Sequence, residues 1–163
     1  MPAVSNTSPL LNLAIIGQLS LLYEQFKSIL IPPSVREELR IEGDLPGAKV
    51  LREAIEAGWI QIQEVRDKAF VKVLRRELDR GEAEAIALAL QVGAEWTLLD
   101  EREGRRVGKS LGLRVTGVLG ILLRARREGK FGSLQKVLTD LREKAGFHIH
   151  AELLTELLNQ ETG

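Results

Sequence analysis

Short runs of apolar residues, separated by polar residues and glycines, occur along the whole chain, most clearly in residues 81–101. Residues 85–92 are apolar almost all round a helix, which is typical of a buried helix. Gly93 is a signal for the C-terminal end of that helix. Residues 96–99 then form an unbroken apolar run, typical of an interior parallel strand, that ends at Asp100. This unit is predicted to be a helix and a strand joined by one short turn.

The same alternation continues over the rest of the sequence. Short apolar or alternating runs at residues 3–4, 28–31, 60–65 and 113–116 predict further strands, with helical patterns between them. Connections of this length imply right-handed crossovers, a mostly parallel sheet and helices on both of its faces. The predicted fold class is therefore α/β, a three-layer α/β/α sandwich around that sheet.

Polar residues before the helical patterns predict where helices start. Ser8 is expected to cap a helix with Pro9 at its first position. Ser34, followed three residues later by a glutamate, is expected to form a capping box. Asp67 is expected to cap a charged helix that runs to Arg80, directly before the central unit.

The length of the chain and the pattern of its last thirty residues predict the domain organisation. At 163 residues the chain is predicted to be a single domain over residues 1–163. Residues 133–163 are predicted to be a C-terminal helical extension packed on it, and Glu152 to Leu158 its last amphipathic helix. The sequence contains no cysteine, so it has neither disulfides nor a cysteine-based zinc site.

The charge and the hydropathy of the chain indicate which partners and which cellular location to expect. Basic and acidic residues both number 23, so the net charge is zero and any attraction to nucleic acid must be local. The apolar run from Pro9 to Ile16 is too short and too interrupted for a membrane span, and no basic region precedes it. We expect a cytoplasmic protein without a membrane partner.

Oxygen-bearing side chains fall at strand ends or helix starts in several separate segments. Hard cations such as Mg²⁺ and Mn²⁺ prefer such ligands, and an ion-bound water can be activated to attack a phosphodiester. Taken singly, a glutamate in a first helical turn more often complements the helix dipole, and a strand-terminal aspartate is as often a cap. The candidates are Asn6, Glu38, Glu82, Glu84, Asp100 and Glu101.

Four segments taken together, SNTSPLLNLAIIG, IPPSVREEL, GEAEAIALALQVGA and WTLLDE, resemble the PIN-domain nucleases, and specifically the DUF3368 branch. That branch resembles the toxin components of type II toxin–antitoxin pairs. The resemblance covers almost the whole chain. It implies a three-layer sandwich, an acidic pocket for Mg²⁺ or Mn²⁺, and metal-dependent cleavage of single-stranded RNA. It also implies a small antitoxin protein and a homodimer as partners.

Carried over onto this sequence, the resemblance implies a set of site residues. The four family acids fall on Asn6, Glu38, Glu82 and Asp100, and the metal ligands on the last three. Ser8, Glu84 and Glu101 are the implied supporting residues, although Glu84 lies about 200° around a helix from Glu82 and is not expected in the same pocket.

Asn6 departs from the family pattern, which usually has an aspartate there. A neutral amide offers a carbonyl oxygen but no charge, so the site has one negative charge fewer. Two functions stay open on this basis. The protein is either a metal-dependent endoribonuclease or a catalytically weakened PIN-like module that binds RNA or an antitoxin without cutting.

A basic helix is expected directly after Asp100. Its cations, Arg102, Arg105, Arg106 and Lys109, are spaced to put several on one face, where they either bind RNA phosphates or form a solvated surface.

Three further features suggest other chemistry. The GRRVGKS run has one residue too few between its glycines for a phosphate-binding P-loop. His148 and His150 lie far along the chain from the acids, and two histidines do not make a metal site, so they are interpreted as structural or surface residues. A receiver-like domain with Asp100 as phosphoacceptor would also need a pair of acids after the first strand, where only Asn6 stands.

Overall fold

The structure is a computed structural model, and it describes residues 2–150. Within them the chain forms five strands and nine α-helices, with two helices after every strand except β4, which is followed by one. The strands are β1 (Ala3–Ser5), β2 (Ile29–Ile31), β3 (Ile60–Ile62), β4 (Trp96–Leu98) and β5 (Val115–Thr116). The helices are α1 (Thr7–Ile15), α2 (Ser20–Phe26), α3 (Pro33–Leu39), α4 (Ala48–Glu56), α5 (Lys68–Leu74), α6 (Arg80–Val92), α7 (Arg102–Ser110), α8 (Val118–Arg127) and α9 (Leu134–Glu143).

The strands form one sheet in the order β3-β2-β1-β4-β5. Every pairing is parallel, including Val4 with Leu30 on one side of β1 and with Thr97 on the other. The prediction of a mostly parallel sheet is confirmed, and the described sheet is parallel throughout. Since β1 lies at its centre, side chains that follow β1 lie between the ends of β2 and β4.

Both faces of the sheet are buried by helices. Successive strand residues alternate between two apolar clusters, as with Ala3 in one and Val4 in the other, because side chains along a strand point to opposite faces. Helices α1 to α4, α8 and α9 contribute to the first cluster, and α5 to α7 contribute to the second. The three-layer α/β/α sandwich is therefore confirmed.

Two of the predicted helix starts, those of α1 and α3, are wrong. Helix α1 begins at Thr7 with Asn6 as its N-cap, and α3 begins at Pro33, so Ser8 and Ser34 lie inside helices and cap neither. A proline suits the first helical turn because its φ is already helical and its missing N–H has no helical partner there. Asp67 does cap α5, accepting a hydrogen bond from the backbone N–H of Phe70.

The start of α6 also differs from the prediction. Helix α5 ends at Leu74 rather than at Arg80, and Asp79 caps the new helix with a capping box, so that Gly81 lies within α6. The end at Gly93 is as predicted, with that glycine in the left-handed conformation at φ 63°.

The C-terminal part of the described chain packs on the first cluster. Four apolar residues of α9 are buried there, and Ile149 follows them into the core although residues 147–150 form no regular element. The helix predicted at Glu152 to Leu158 lies outside the described residues. Within residues 2–150 no helix is both long and apolar enough to cross a membrane.

The topology identifies one edge of the sheet as the place for a ligand. The chain leaves β1 into α1 on one face of the sheet and leaves β4 into α7 on the other. In open parallel sheets the crevice between two such strands, at their carboxyl ends, is where ligands bind. Asn6 and Asp100 follow these two strands.

Candidate active site

Three consecutive residues at the start of α1 connect the candidate acids. Asn6 is buried as the N-cap, with 5% of its surface exposed. Thr7 Oγ1 donates a hydrogen bond to Glu38 Oε2 at 2.8 Å, and Ser8 Oγ donates one to Asp100 Oδ2 at 2.7 Å. The first turn of α1 therefore links an acid from α3 to the acid that follows β4.

Both carboxylate oxygens of Asp100 are held by hydrogen bonds. Besides the bond from Ser8, Oδ1 accepts one from the backbone N–H of Val118 at 2.8 Å, and Asn12 Nδ2 donates to Ser8 Oγ at 2.9 Å. The pKa of Asp100 is raised, chiefly by burial, although the Val118 and Ser8 hydrogen bonds and the Arg105 charge act to lower it. The carboxyl group thus has a fixed orientation at the crevice.

Glu82 carries a buried carboxylate oxygen without a partner. Its backbone N–H donates to Asp79 Oδ1 at 2.8 Å, and its Oε1 accepts a long bond from the Asp79 N–H at 3.4 Å. Its Oε2 finds no hydrogen-bond partner in the described chain, although only 6% of the residue is exposed. Burial, and after it the Asp79 charge, raises the pKa of Glu82 from 4.5 to about 7.

Side-chain oxygens of Asn6 and Glu38 both lie close to the backbone of Gly81, at the start of α6. A Cβ atom on Gly81 would lie 2.8 Å from Glu38 Oε1 and 2.9 Å from Asn6 Oδ1, so both oxygens flank the same point. Asn6 Oδ1 is also buried without a hydrogen-bond partner among the described residues. A glycine at this position lets the helix start approach both oxygens.

Two more glycines let helix backbones approach the other acids. A Cβ on Gly104 in α7 would lie 2.6 Å from Glu82 Oε2, and one on Gly117 before α8 would lie 2.5 Å from Asp100 Oδ1. Real Cβ atoms are essentially never found so close, so any side chain here would displace the carboxylate. The arrangement of the acids depends on these glycines.

A cleft of about 890 Å³ begins at Asp100 and runs along α7. The basic residues of α7 line one side of it, and residues 147–150 also line it. Arg106 is already paired with Glu77 and Glu103, each at 2.9 Å. The remaining cations, Arg102, Arg105 and Lys109, form no salt bridge within residues 2–150 and are spaced to share one helix face.

Comparison with protein families identifies the fold. The sequence model of a family described as DUF3368: PIN domain matches residues 2–162. The chain belongs to the PIN domain family. This confirms the resemblance drawn from the four motifs, and PIN domains are generally nucleases. No curated protein sequence matches the chain.

PIN domains generally use divalent metal ions, and the donors present here fit such an ion in kind. The two buried oxygens without partners, Asn6 Oδ1 and Glu82 Oε2, are hard donors of the type that Mg²⁺ and Mn²⁺ prefer. Within residues 2–150, however, no three His, Asp or Glu side chains are grouped so that they could hold an ion by themselves. An ion in this PIN domain would therefore use the Asn6 carbonyl and water as well as the acids.

The predicted supporting residues have different surroundings in the PIN domain. Ser8 holds Asp100 directly, and the Glu101 charge helps to raise the pKa of both Glu82 and Asp100. Glu84 is buried elsewhere, with Arg80 Nε donating to its Oε2 at 3.0 Å beside Val65 and Lys68 in a separate pocket. The structure thus separates Glu84 from the candidate acids.

The sequence did not indicate several of the groups that hold the candidate acids in place. Thr7 and the Val118 N–H hold Glu38 and Asp100, and Asp79 sets the orientation of Glu82. Only Asp79 had a local signal, because a capping residue followed three positions later by glutamate is a capping box. His148 and His150 line the same cleft as Asp100, which their position in the sequence did not indicate.

Proposed function

We propose that the protein is a metal-dependent endoribonuclease that cleaves RNA phosphodiesters with a water activated by Mg²⁺ or Mn²⁺. One observation carries the proposal: Asn6 and Glu82 each have a buried oxygen without a hydrogen-bond partner among the described residues, and Asn6 follows β1, the strand paired with the β4 that precedes Asp100. A buried polar atom without a partner is costly and needs an explanation. Coordination of a cation supplies one.

Each acid has a definable task in this proposal. Asp100 presents a carboxylate whose orientation is fixed by Ser8 and Val118, and Glu38 is held by Thr7. Glu82, with its pKa near 7, can exchange its proton for a cation at neutral pH. When bound, the ion would supply a nucleophilic water and neutralise charge that develops on the phosphate.

We also propose a cellular role, that of the toxin in a type II toxin–antitoxin pair, with a small antitoxin protein and a homodimer as partners. This part rests on the family resemblance alone. It predicts a short open reading frame beside the gene, whose product binds this protein and suppresses its cleavage of RNA. A neighbouring product that neither binds it nor changes the cleavage rate would contradict the role.

Substitution of Asp100 tests the nuclease proposal. Asp100→Asn should abolish Mn²⁺-dependent cleavage of single-stranded RNA and the rise in melting temperature that Mn²⁺ gives to the native protein, since a bound ion stabilises the folded state. The control is Asp140→Asn on α9, where the native carboxylate lies 3.7 Å from Lys144 Nζ. Cleavage that survives in the Asp100 variant as it does in the control would refute the proposal.

The second candidate function is a binding module with the same fold and little or no catalysis. The neutral side chain of Asn6 favours it, because the position that carries the first acid in the family supplies no charge here. RNA or an antitoxin would then occupy the cleft without being cut.

Asn6→Asp separates the two functions. Burial and the adjacent Glu38 carboxylate should make the new acid lower the stability of the metal-free protein by about 1–3 kcal/mol, and added Mn²⁺ should recover the loss. Melting curves with EDTA or Mn²⁺ measure this effect. Cleavage that appears only in the variant favours the binding module, whereas cleavage by the native protein excludes it.

A further inference from the structure

The cleft beside Asp100 has one cationic wall and one apolar wall. The cationic wall consists of the residues of α7 that line the cleft and form no salt bridge within residues 2–150, which are Arg102, Arg105 and Lys109. The apolar wall consists of half-buried side chains from β5, α8 and the segment after α9, which are Val115, Leu119, Leu123 and Phe147. Such a cleft fits an amphipathic segment that carries negative charge.

The apolar wall leaves room for a second helix to pack on α8. Leu119 and Leu123 are four residues apart, so they lie on one face of α8. Gly120 also lines the cleft, and it is exposed. Because the distance between two packed helices depends on the side chains at their contact, a glycine here permits a close approach.

The chain reaches this cleft at His150, the last described residue. Ile149 is buried in the first apolar cluster with 6% of its surface exposed. Phe147 is half-buried against the same cluster, and its backbone N–H donates to the Leu141 carbonyl at 3.1 Å. These contacts fix the backbone of His150, which itself lines the cleft, so the sequence that follows begins beside both walls.

The sequence after His150 has the pattern that the two walls require. Residues 151–158, here named the tail segment, read AELLTELL. At about 100° per residue, a helix with this sequence has its four leucines within an arc of about 140°. The two glutamates, Glu152 and Glu156, are four residues apart and lie together beside one edge of that arc. The tail segment thus combines an apolar face with an acidic edge.

We infer that the tail segment docks in the cleft of its own chain as a helix, with its leucines on the apolar wall and Glu152 and Glu156 facing the cationic wall. The opposite charges favour this orientation. The tail segment follows directly after a residue that lines the cleft, so its effective concentration there is high and weak contacts suffice. The docked segment covers the approach to Asp100.

Thiol labelling of the full chain measures the docking. Because the native sequence contains no cysteine, Leu119→Cys places a single thiol on the apolar wall. In this background Glu152→Lys with Glu156→Lys should speed labelling by a maleimide dye at low salt about fivefold or more, because two attractions become repulsions. The charge-matched control is Glu24→Lys with Glu56→Lys, exposed positions on α2 and α4 that should leave the rate unchanged.

Exchange of the charges tests whether the two walls and the tail segment meet as inferred. Arg102→Glu with Lys109→Glu, added to the lysine tail, should restore the slow labelling, since each pair of opposite charges is present again in reverse. A tail variant that merely loosens the fold would not be rescued in this way. Thr116→Cys, in the same cleft, is the reporter if melting curves show that Leu119→Cys is unfolded.

Three results would overturn the inference, and none depends on catalysis. They are equal labelling rates with the native and the lysine tail, exchanged charges that restore nothing, and protection that is lost on dilution, which would place the tail of a second copy in the cleft.

A consequence for RNA rests on the proposed function. If RNA enters this cleft, the lysine tail should raise the rate of Mn²⁺-dependent cleavage, because the approach to Asp100 is open. If labelling behaves as described but no variant cleaves RNA, the nuclease proposal fails and the docking stands.

Discussion

Glu82 is the residue whose surroundings explain most about the site. Its carboxylate is confined by the capping box with Asp79 on one side and by Gly104 on the other, and one of its oxygens has no hydrogen-bond partner in the part of the chain that the structure describes. In a protein without metal, a proton is the simplest compensation, which agrees with a pKa raised to about 7. A cation that binds to this oxygen, as we propose, would displace that proton near neutral pH.

The raised pKa makes a prediction about stability and pH. Between 4.5 and about 7 the folded state holds the Glu82 proton more tightly than the unfolded state does, so stability falls as the pH rises through this interval. Glu82→Gln keeps the capping box and removes that penalty. In EDTA at pH 8 the variant should be more stable than the native protein by about 1–2 kcal/mol, and near pH 4.5 the difference should vanish.

Thermal or urea unfolding at the two pH values measures this difference. Glu84→Gln, two residues further along the same helix, is the control for the substitution itself. A Glu82→Gln variant that is no more stable than the native protein at pH 8 would show that the native carboxylate is not strained there.

At the residue scale, the sequence predicts where some of the candidate site residues lie but not the hydrogen bonds that hold them. The positions of Asn6 and Asp100 at one edge of the sheet were predictable, because each closes the segment of a predicted strand and parallel strands end at a common edge. The roles of Thr7 and the Val118 N–H were not, since a hydrogen bond to a distant carboxylate leaves no periodic signal. The positions of the histidines were missed for the same reason, as only the fold brings them to the cleft that Asp100 also lines.

Element by element, the interiors of helices and strands were predicted better than their ends. The apolar periods that place a helix are repeated over several turns, whereas its start depends on one capping bond. Ser8 looked like a cap by residue type, but its hydroxyl is used to hold Asp100, and the Asn6 backbone precedes the first helical residue instead. The Ser8 hydroxyl thus makes a hydrogen bond to a distant residue instead of the local capping bond.

The close approach of α7 to Glu82 makes a prediction about Gly104. Alanine in a helix interior is normally better than glycine by about 0.5–1 kcal/mol. Here the new Cβ would meet Glu82 Oε2 at 2.6 Å, so Gly104→Ala should instead destabilise the protein. The test is a double-mutant cycle with Glu82→Ala, in which the penalty for Gly104→Ala should disappear. Equal effects of Gly104→Ala in both backgrounds would mean that the two residues do not interact.

On the scale of the whole molecule, strand order decides where chemistry can occur. Because β1 is central and the chain departs from β1 and β4 to opposite faces, the carboxyl ends of these strands open a crevice at one place. The zero net charge provides no general attraction for RNA, so the proposed binding would depend on Arg102, Arg105 and Lys109, the cations beside that crevice that form no salt bridge within residues 2–150. Site and cleft are thus consequences of one topology.

Cleavage of a labelled single-stranded RNA across an Mn²⁺ titration, with the native protein and the matched variants Glu82→Gln and Glu84→Gln, tests the central claim most directly. We predict that the native protein cuts only with the metal and that Glu84→Gln cuts at a similar rate. Glu82→Gln should be slower by at least about 100-fold, since even the outer partners of a metal site contribute about 10- to 100-fold. Metal-independent cutting, or equal rates for the two variants, would contradict the account.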